Sequence, residues 1–347
     1  MSMSITHWQI SLLFVSAFLL VGALTPLMRR IAISRGILDR PISAHKSHSA
    51  PVPYLGGVAI ILGISIITYI AIPFTSLPIK NFWLATSLIG PALAMGVIGV
   101  WDDIKNLHPL LRFIGQSISG VLVAVILILS SSFGSPTGSI SIDVFITVLW
   151  IVGICNSINF FDNLDGGAAG TIVVSSIALT YLAISNGQAL IGSLAVVVTG
   201  ACLGFLIWNK SPARIYMGDA GALFLGVLIA TLTIRLKPDT GSIVASFATP
   251  VLLLAVPILD TSVAVISRLR RRVSPFKGGK DHLSHRLIRS GIPRKNTAFL
   301  LWSLSAFFAL LAILINSNIP INEFILVVFG CVVWLGLLLK FLSTIDE

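Results

Sequence analysis

"WQISLLFVSAFLLVGALTPLMRR", Trp8 to Arg30, carries no charged side chain until its last two positions. An apolar run of about 20 residues, coiled as an α-helix, matches the roughly 30 Å hydrocarbon core of a bilayer. No basic residue precedes the run from Trp8 to Leu27, and Arg29 and Arg30 follow it, the reverse of a signal peptide. It reads as a retained first membrane helix with its N-terminus outside the cytoplasm.

Composition extends that reading to the whole chain. Of 347 residues, 56% are hydrophobic and 10% are charged, with a mean hydropathy of +0.98. A soluble domain is about 25% charged. A window of about 19 residues gives eleven spans, near 8–28, 55–73, 82–100, 112–130, 141–158, 168–185, 189–208, 220–236, 246–267, 297–315 and 320–341. The expected fold is therefore all-α, a polytopic membrane protein forming a single domain. Its cytoplasmic loops fall near 29–54, 101–111, 159–167, 209–219 and 268–296. No internal repeat or low-complexity tract interrupts the pattern.

Charge sets the orientation. One side of the eleven crossings collects Arg29, Arg30, Arg35, Arg40 and Lys46, then Lys105 and Arg112, then Lys210 and Arg214, then ten basic residues between Arg268 and Lys295, then Lys340. The other side keeps Lys80, Arg235 and Lys237 out of a total of 23. Basic residues accumulate in cytoplasmic loops, so the N-terminus is expected outside and the C-terminus in the cytoplasm. The same rule accounts for the net charge of +10, and no nucleic-acid partner is expected. Cys155, Cys202 and Cys331 lie in or beside apolar segments without metal-ligand spacing, so neither disulfide nor zinc is expected.

The acidic residues share the basic side, which orientation does not require. Asp39, Asp102, Asp103, Asp162, Asp165, Asp219, Asp260 and Asp281 fall there, against Asp143, Asp239 and Glu323 opposite. Carboxylates gathered with lysines, arginines and histidines at one membrane face describe a polar site.

Five stretches compose that site. In "GVWDDIKN" the adjacent Asp102 and Asp103 repel at the end of a span, and each carboxylate there costs up to about 3 kcal/mol to insert. A Mg²⁺ ion or a phosphate-bound proton would compensate them, unless the helix end is simply solvated. In "NSINFFDNLDGGAAG", Asn156, Asn159, Asp162 and Asp165 recur every third residue, so a helical or 3₁₀ turn would align their oxygens along one edge for a hard cation. In "YMGDAGALFLG", Asp219 is either an ordinary N-cap or a metal ligand at a helix N-terminus, where the dipole also favours phosphate oxygens. In "KDHLSHRL", His282, His285 and Arg286 would share one face of a short helix and suit a diphosphate, while Arg268, Arg270, Arg271 and Arg272 upstream read as a stop-transfer and headgroup cluster. In "DRPISAHKSHSAPVPYLGG", Lys46 and His48 precede a proline-stiffened segment, and Gly56 and Gly57 let the next helix begin tightly.

Together and in this order, from Asp39 to Leu287, these stretches resemble the polyprenyl-phosphate N-acetylhexosamine-1-phosphate transferases. That resemblance implies transfer of a sugar 1-phosphate, most simply GlcNAc-1-phosphate, from a UDP-N-acetylhexosamine to undecaprenyl phosphate with release of UMP and with Mg²⁺ or Mn²⁺ required. It implies a bacterial inner-membrane enzyme whose site faces the cytoplasm, with membrane lipid around it and a homodimer left open. Asn159 and Asp219 match the metal-proximal ligands, and Asp102 and Asp103 match the pair that orients or deprotonates the lipid phosphate. Asp162 and Asp165 match acidic residues near the nucleotide, and His282 and His285 those near the diphosphate. Lys46, His48, Lys105, Asn156 and Arg286 join them as substrate-binding candidates. The usual "DxPxxRKxH" opening appears here with one extra residue and His45 in place of Arg. Leu283 and Ser284 separate two histidines where the phospho-MurNAc-pentapeptide enzymes show three in succession, which points to the GlcNAc-1-phosphate branch. The rival class is a secondary transporter, which would carry its charges near the bilayer midplane.

Overall fold

The computed structural model describes residues 6–39, 51–75, 77–132, 137–237, 242–275, 279–317 and 322–343. The first span starts where Thr6 and Gln9 form a capping box, the Gln9 Oε1 accepting from the Thr6 N–H at 3.0 Å. It continues as α1 (His7–Ser34), a turn beyond the arginine pair, before β1 (Leu38–Asp39) and β2 (Val52–Pro53) make a short antiparallel ladder. Then follow α2 (Gly56–Ala71), α3 (Pro78–Lys105), α4 (Pro109–Leu129), α5 (Ile140–Phe161), α6 (Gly167–Ser185), α7 (Ala189–Asn209) and α8 (Gly218–Arg235). The chain closes with α9 (Ile243–Leu253), α10 (Ala255–Arg270), α11 (Leu283–Arg289), α12 (Arg294–Ile315) and α13 (Glu323–Ser343). Among the described residues, ten of these helices are long and apolar enough to cross a membrane, and the pair α9–α10 makes an eleventh.

The eleventh is not the straight helix that the hydropathy window near 246–267 predicts. It bends by 70° at Leu254. Pro257 has no N–H to donate to Leu253 and its ring crowds that carbonyl, so the ladder fails one turn upstream. The freed Leu253 carbonyl accepts from Ser175 Oγ at 2.6 Å, which keeps a buried polar group satisfied inside the bundle.

The core is built around α8, which is buried along nearly its whole length and packs against α2, α3 and α5. Apolar side chains cannot drive helix association inside lipid, so close backbone approach does. Gly57 meets Gly221 so closely that an added Cβ would lie 2.1 Å from the Gly221 nitrogen. The second helix therefore begins tightly, as "YLGG" predicts, and it is fastened by Gly56 N–H to Tyr216 O (3.0 Å) and Gly57 N–H to Met217 O (2.9 Å). By contrast, α13 buries only Gly330 and presents Phe324, Phe329 and Leu335 outward.

Candidate active site

Four helix ends meet at one end of the bundle: the C-termini of α3 and α5 and the N-termini of α4 and α8. Asp102 is buried in the last turn of α3. Its Oδ1 accepts from Leu107 N–H (2.6 Å) and its Oδ2 from Arg112 Nη1 (2.7 Å). Asp103 points the other way, accepting the Asp219 N–H (2.8 Å) and Ala220 N–H (3.2 Å) at the start of α8. The adjacent carboxylates are thus compensated separately, one by a guanidinium and one by the free donors of a helix N-terminus. Gly218 has φ +70°, and a Cβ there would lie 2.6 Å from Asp103 Oδ2, so only glycine lets the carboxylate reach the helix.

Because Asp103 caps α8 from another helix, Asp219 is released from the N-cap role. The cap position is Met217, and the Asp219 carboxylate turns to the site instead. Its Oδ1 accepts a short hydrogen bond from Asn159 Nδ2, and its Oδ2 lies 3.3 Å from Arg112 Nη1. Arg112 therefore spans Asp102 and Asp219. The sequence marked it only as one basic residue of the topology pattern, because a lone arginine at a helix start has no motif.

The three-residue spacing of Asn156, Asn159, Asp162 and Asp165 does not produce one edge of ligands, because α5 ends at Phe161. Asn156 bonds Gln116 Oε1 (2.7 Å) and Val152 O (2.8 Å), tying α5 to α4. Asn159 alone turns to Asp219. Asp165 accepts from Ala213 N–H (3.1 Å) and holds the segment between α7 and α8. Asp162, just past the end of α5, is half-buried with no hydrogen bond or ion pair to its carboxylate among the described residues. Burial first, then the charges of Asp219, Asp103 and Asp165, hold that carboxyl well above its usual range. Lys105 is exposed at the end of α3, and Lys46 and His48 lie outside the described residues.

A second cluster abuts the first across Phe160. The Arg268 guanidinium lies 5.4 Å from that ring and His282 packs edge-on to it at 5.9 Å. Arg268 is no headgroup contact: it is 2% exposed and grips Asp281 bidentately, at 2.9 Å through Nε and 2.8 Å through Nη2. Arg271 adds a third bond to Asp281 (2.7 Å). Burial alone would raise the Asp281 carboxyl, but the Arg268 guanidinium outweighs it and the net shift is downward. His282 is buried and engaged at both nitrogens. Arg268 Nη2 can only donate, so Nε2 accepts at 3.2 Å, and Nδ1 then donates to Asp260 Oδ2 at 2.7 Å. Asp260 Oδ1 also accepts the Leu283 N–H (2.7 Å), capping α11, and Ser284 Oγ makes a short bond to Asn163 after α5.

His282, His285 and Arg286 consequently do not share a face. Arg286 is 1% exposed and points away, to Asp281 O (2.9 Å), Phe341 O (2.7 Å) and Ser267 Oγ (2.6 Å), stitching α11 to α10 and α13. His285 is left half-buried, its ring 6.3 Å from that of His282. Burial, then the neighbouring His282, lowers it to about 4, so it is neutral at pH 7. The folded form resists a proton that the unfolded chain accepts near 6.5. The His285 contribution to stability is complete above pH 6.5 and lost as pH falls toward 4. The melting temperature in detergent is expected to drop across that window, and His285→Gln to flatten the drop; an unchanged slope would exclude His285 as its source.

Comparison with known proteins identifies the family. A family profile, glycosyl transferase family 4, matches residues 85–237. That stretch includes Asp102, Asp103, Arg112, Asn159 and Asp219. A Bacillus subtilis (strain 168) protein, named as a probable undecaprenyl-phosphate N-acetylglucosaminyl 1-phosphate transferase, is 31% identical over 98% of this chain and 94% of its own length. The chain belongs to glycosyl transferase family 4. More distant relatives include a Mycolicibacterium smegmatis decaprenyl-phosphate N-acetylglucosaminephosphotransferase, 28% identical over 85% of this chain and 79% of that one. A Streptococcus uberis phospho-N-acetylmuramoyl-pentapeptide-transferase is 28% identical over 74% of this chain and 81% of its own. As a family 4 member the chain is a glycosyl-1-phosphate transferase of the membrane.

Among the described residues, no three His, Cys, Asp or Glu side chains form a closed metal cage. At the site Asp219 brings a carboxylate and Asn159, joined to it through Nδ2, brings an amide oxygen. Such a hard, incomplete donor set fits a cation that takes its remaining ligands from phosphate and water.

Proposed function

We propose that the chain transfers GlcNAc-1-phosphate from UDP-GlcNAc to undecaprenyl phosphate. A lipid phosphate oxygen bonds to the sugar-linked phosphorus, the bond from that phosphorus to the bridging oxygen breaks, and UMP leaves with the electron pair. The observation that carries this reading is the convergence of Asp102, Arg112, Asn159 and Asp219 at one end of the bundle. Charges gathered at one end, beside the membrane surface, also favour it over a transporter with a midplane site.

Both reactants are anions, so the barrier is repulsion and positioning rather than creation of a strong nucleophile. With a second pKa near 6, much of the lipid phosphate is already dianionic at pH 7. Asp102, held by Leu107 N–H and paired with Arg112 before the cation binds, acts as base or as positioner. Asp219 and Asn159 would hold Mg²⁺, or Mn²⁺ in its place, which would supply Lewis-acid neutralisation of the diphosphate. We assign Lys105, with His285 as a neutral hydrogen-bond donor, to the charge that moves to the departing UMP. His282, held in place by Asp260 and Arg268, supports the site rather than taking up substrate. The excess of lysine and arginine on the active end supports a site that faces the cytoplasm of a bacterial inner membrane, with the N-terminus outside and the C-terminus inside.

Purified protein incubated with undecaprenyl phosphate, Mg²⁺ and UDP-GlcNAc is expected to release UMP and form a diphosphate-linked lipid sugar. UDP-MurNAc-pentapeptide is expected to give none. Release from the pentapeptide donor alone would replace this reading with the phospho-MurNAc-pentapeptide reaction, and no UMP from any UDP-sugar would overturn it.

A further inference from the structure

Arg112 is placed where a cation belongs. Its Nη1 reaches Asp102 Oδ2 at 2.7 Å and Asp219 Oδ2 at 3.3 Å, so one guanidinium nitrogen serves two carboxylates from different helices. The group is not locked in. Its side chain is 27% exposed, and it borders a cleft between α4 and α5 lined by Pro109, Phe113, Gln116, Asn159 and Phe160. Arg268, which engages the Asp281 carboxylate beside the site, is 3% exposed in its side chain and has every nitrogen bonded. The contrast separates a structural guanidinium from one with room to turn.

We infer that Arg112 is a resident counter-cation, which offsets part of the charge of Asp102 and Asp219 in the unloaded protein, competes with a divalent cation for Asp219, and turns into the α4–α5 cleft toward substrate phosphate when the cation binds. The physical need is plain: two carboxylates brought within reach of one nitrogen repel without a positive charge between them. A divalent cation beside Asp219 then meets a guanidinium of like sign, and the cleft is the space into which that guanidinium can retreat. The exchange leaves the two carboxylates with a positive partner in both states and moves a positive charge onto the incoming phosphate. The inference rests on the proposed reaction for the identity of that phosphate, but its first consequence concerns the cation alone.

Mn²⁺ binding to the purified full chain in detergent, without lipid or nucleotide, measured by the loss of the free-ion electron paramagnetic resonance signal, tests it. Arg112→Gln removes the competing charge and is expected to tighten Mn²⁺ by about tenfold or more, whereas Arg112→Lys, which keeps the charge, is expected to stay near wild type. In the UMP assay the order reverses: Arg112→Gln is expected to be at least about tenfold slower at saturating Mn²⁺, with Arg112→Lys retaining more of the rate. A tighter cation with slower transfer is a pairing that simple loss of structure does not produce. Arg112→Met is the second neutral variant should Gln fail to give monodisperse protein. Unchanged or weaker Mn²⁺ binding in a folded neutral variant, or no Mn²⁺ binding by wild type and variant alike, overturns the inference. Wild-type protein that binds Mn²⁺ under Arg112 control but releases no UMP would leave the exchange standing and remove the proposed reaction instead.

Discussion

Asp219→Asn is expected to lower UMP release in isolated membranes by on the order of 10²–10³-fold, with the protein accumulating at its normal level. The two halves of that expectation have separate causes. The fold around residue 219 depends on its backbone, because the N–H that Asp103 caps is kept by any residue. The expected loss of activity comes from the side chain, which accepts from Asn159 Nδ2 at one oxygen and faces Arg112 at the other. Both neighbours are donors, so an amide in place of the carboxylate sets an NH₂ against one of them and removes the charge that Arg112 and a cation both need. Asp103→Asn is the useful contrast: it weakens the cap on α8 by about 1 kcal/mol and should show in thermal stability as well as in rate. Near-normal UMP release from Asp219→Asn would sink the site assignment.

Arg268→Met is expected to cost about 3–5 kcal/mol of stability, enough to cut the yield of folded protein sharply. Asp281 would keep only Arg271, which is 45% exposed, while remaining 3% exposed itself. His282 Nε2 would lose its donor, and the Pro275 carbonyl would lose the bond from Arg268 Nη1 at 2.6 Å. The expected result is undocking of α11 from α10, read as a lowered melting temperature in detergent and as new proteolytic cleavage near residue 280. Replacing both partners with apolar residues, Arg268→Met with Asp281→Leu, should recover some of the loss, because no uncompensated charge is then buried. A double variant as unstable as the sum of the two singles would mean that the pair is not the source of the effect. The depressed Asp281 carboxyl adds a pH signature. Its contribution is complete above the ordinary carboxylate range and is lost as pH falls through the lower folded value, so Arg268→Met should also blunt acid sensitivity.

The spans were legible in the sequence because each is a local fact: about 20 apolar residues need no distant partner to be recognised as a crossing. The motifs were legible because carboxylates, amides and histidines are costly beside lipid and stand out wherever they occur. Spacing was a poorer guide. The period of three from Asn156 to Asp165 suggested one ligand edge, yet α5 stops at Phe161 and Asn156, Asn159 and Asp165 diverge to α4, α8 and the α7–α8 segment, while Asp162 joins none of them. Arg268 and Arg286 were misread for a similar reason. Nothing local distinguishes an arginine that meets headgroups from one that is buried against a carboxylate thirteen residues on, or a carbonyl of the last helix.

The sequence by itself determined an all-α membrane protein with eleven crossings, its charge gathered toward one side, and the set of residues from which a site is drawn. Only the tertiary structure decided the division of labour within that set. It gave Asp103 to the cap of α8, freed Asp219 for the site, set Arg112 between Asp219 and Asp102, and withdrew His282 and Arg286 into the support of α11. Hydropathy sums over neighbours along the chain, whereas a carboxylate's role depends on which donors from other helices reach it first, and that is set only when the bundle packs.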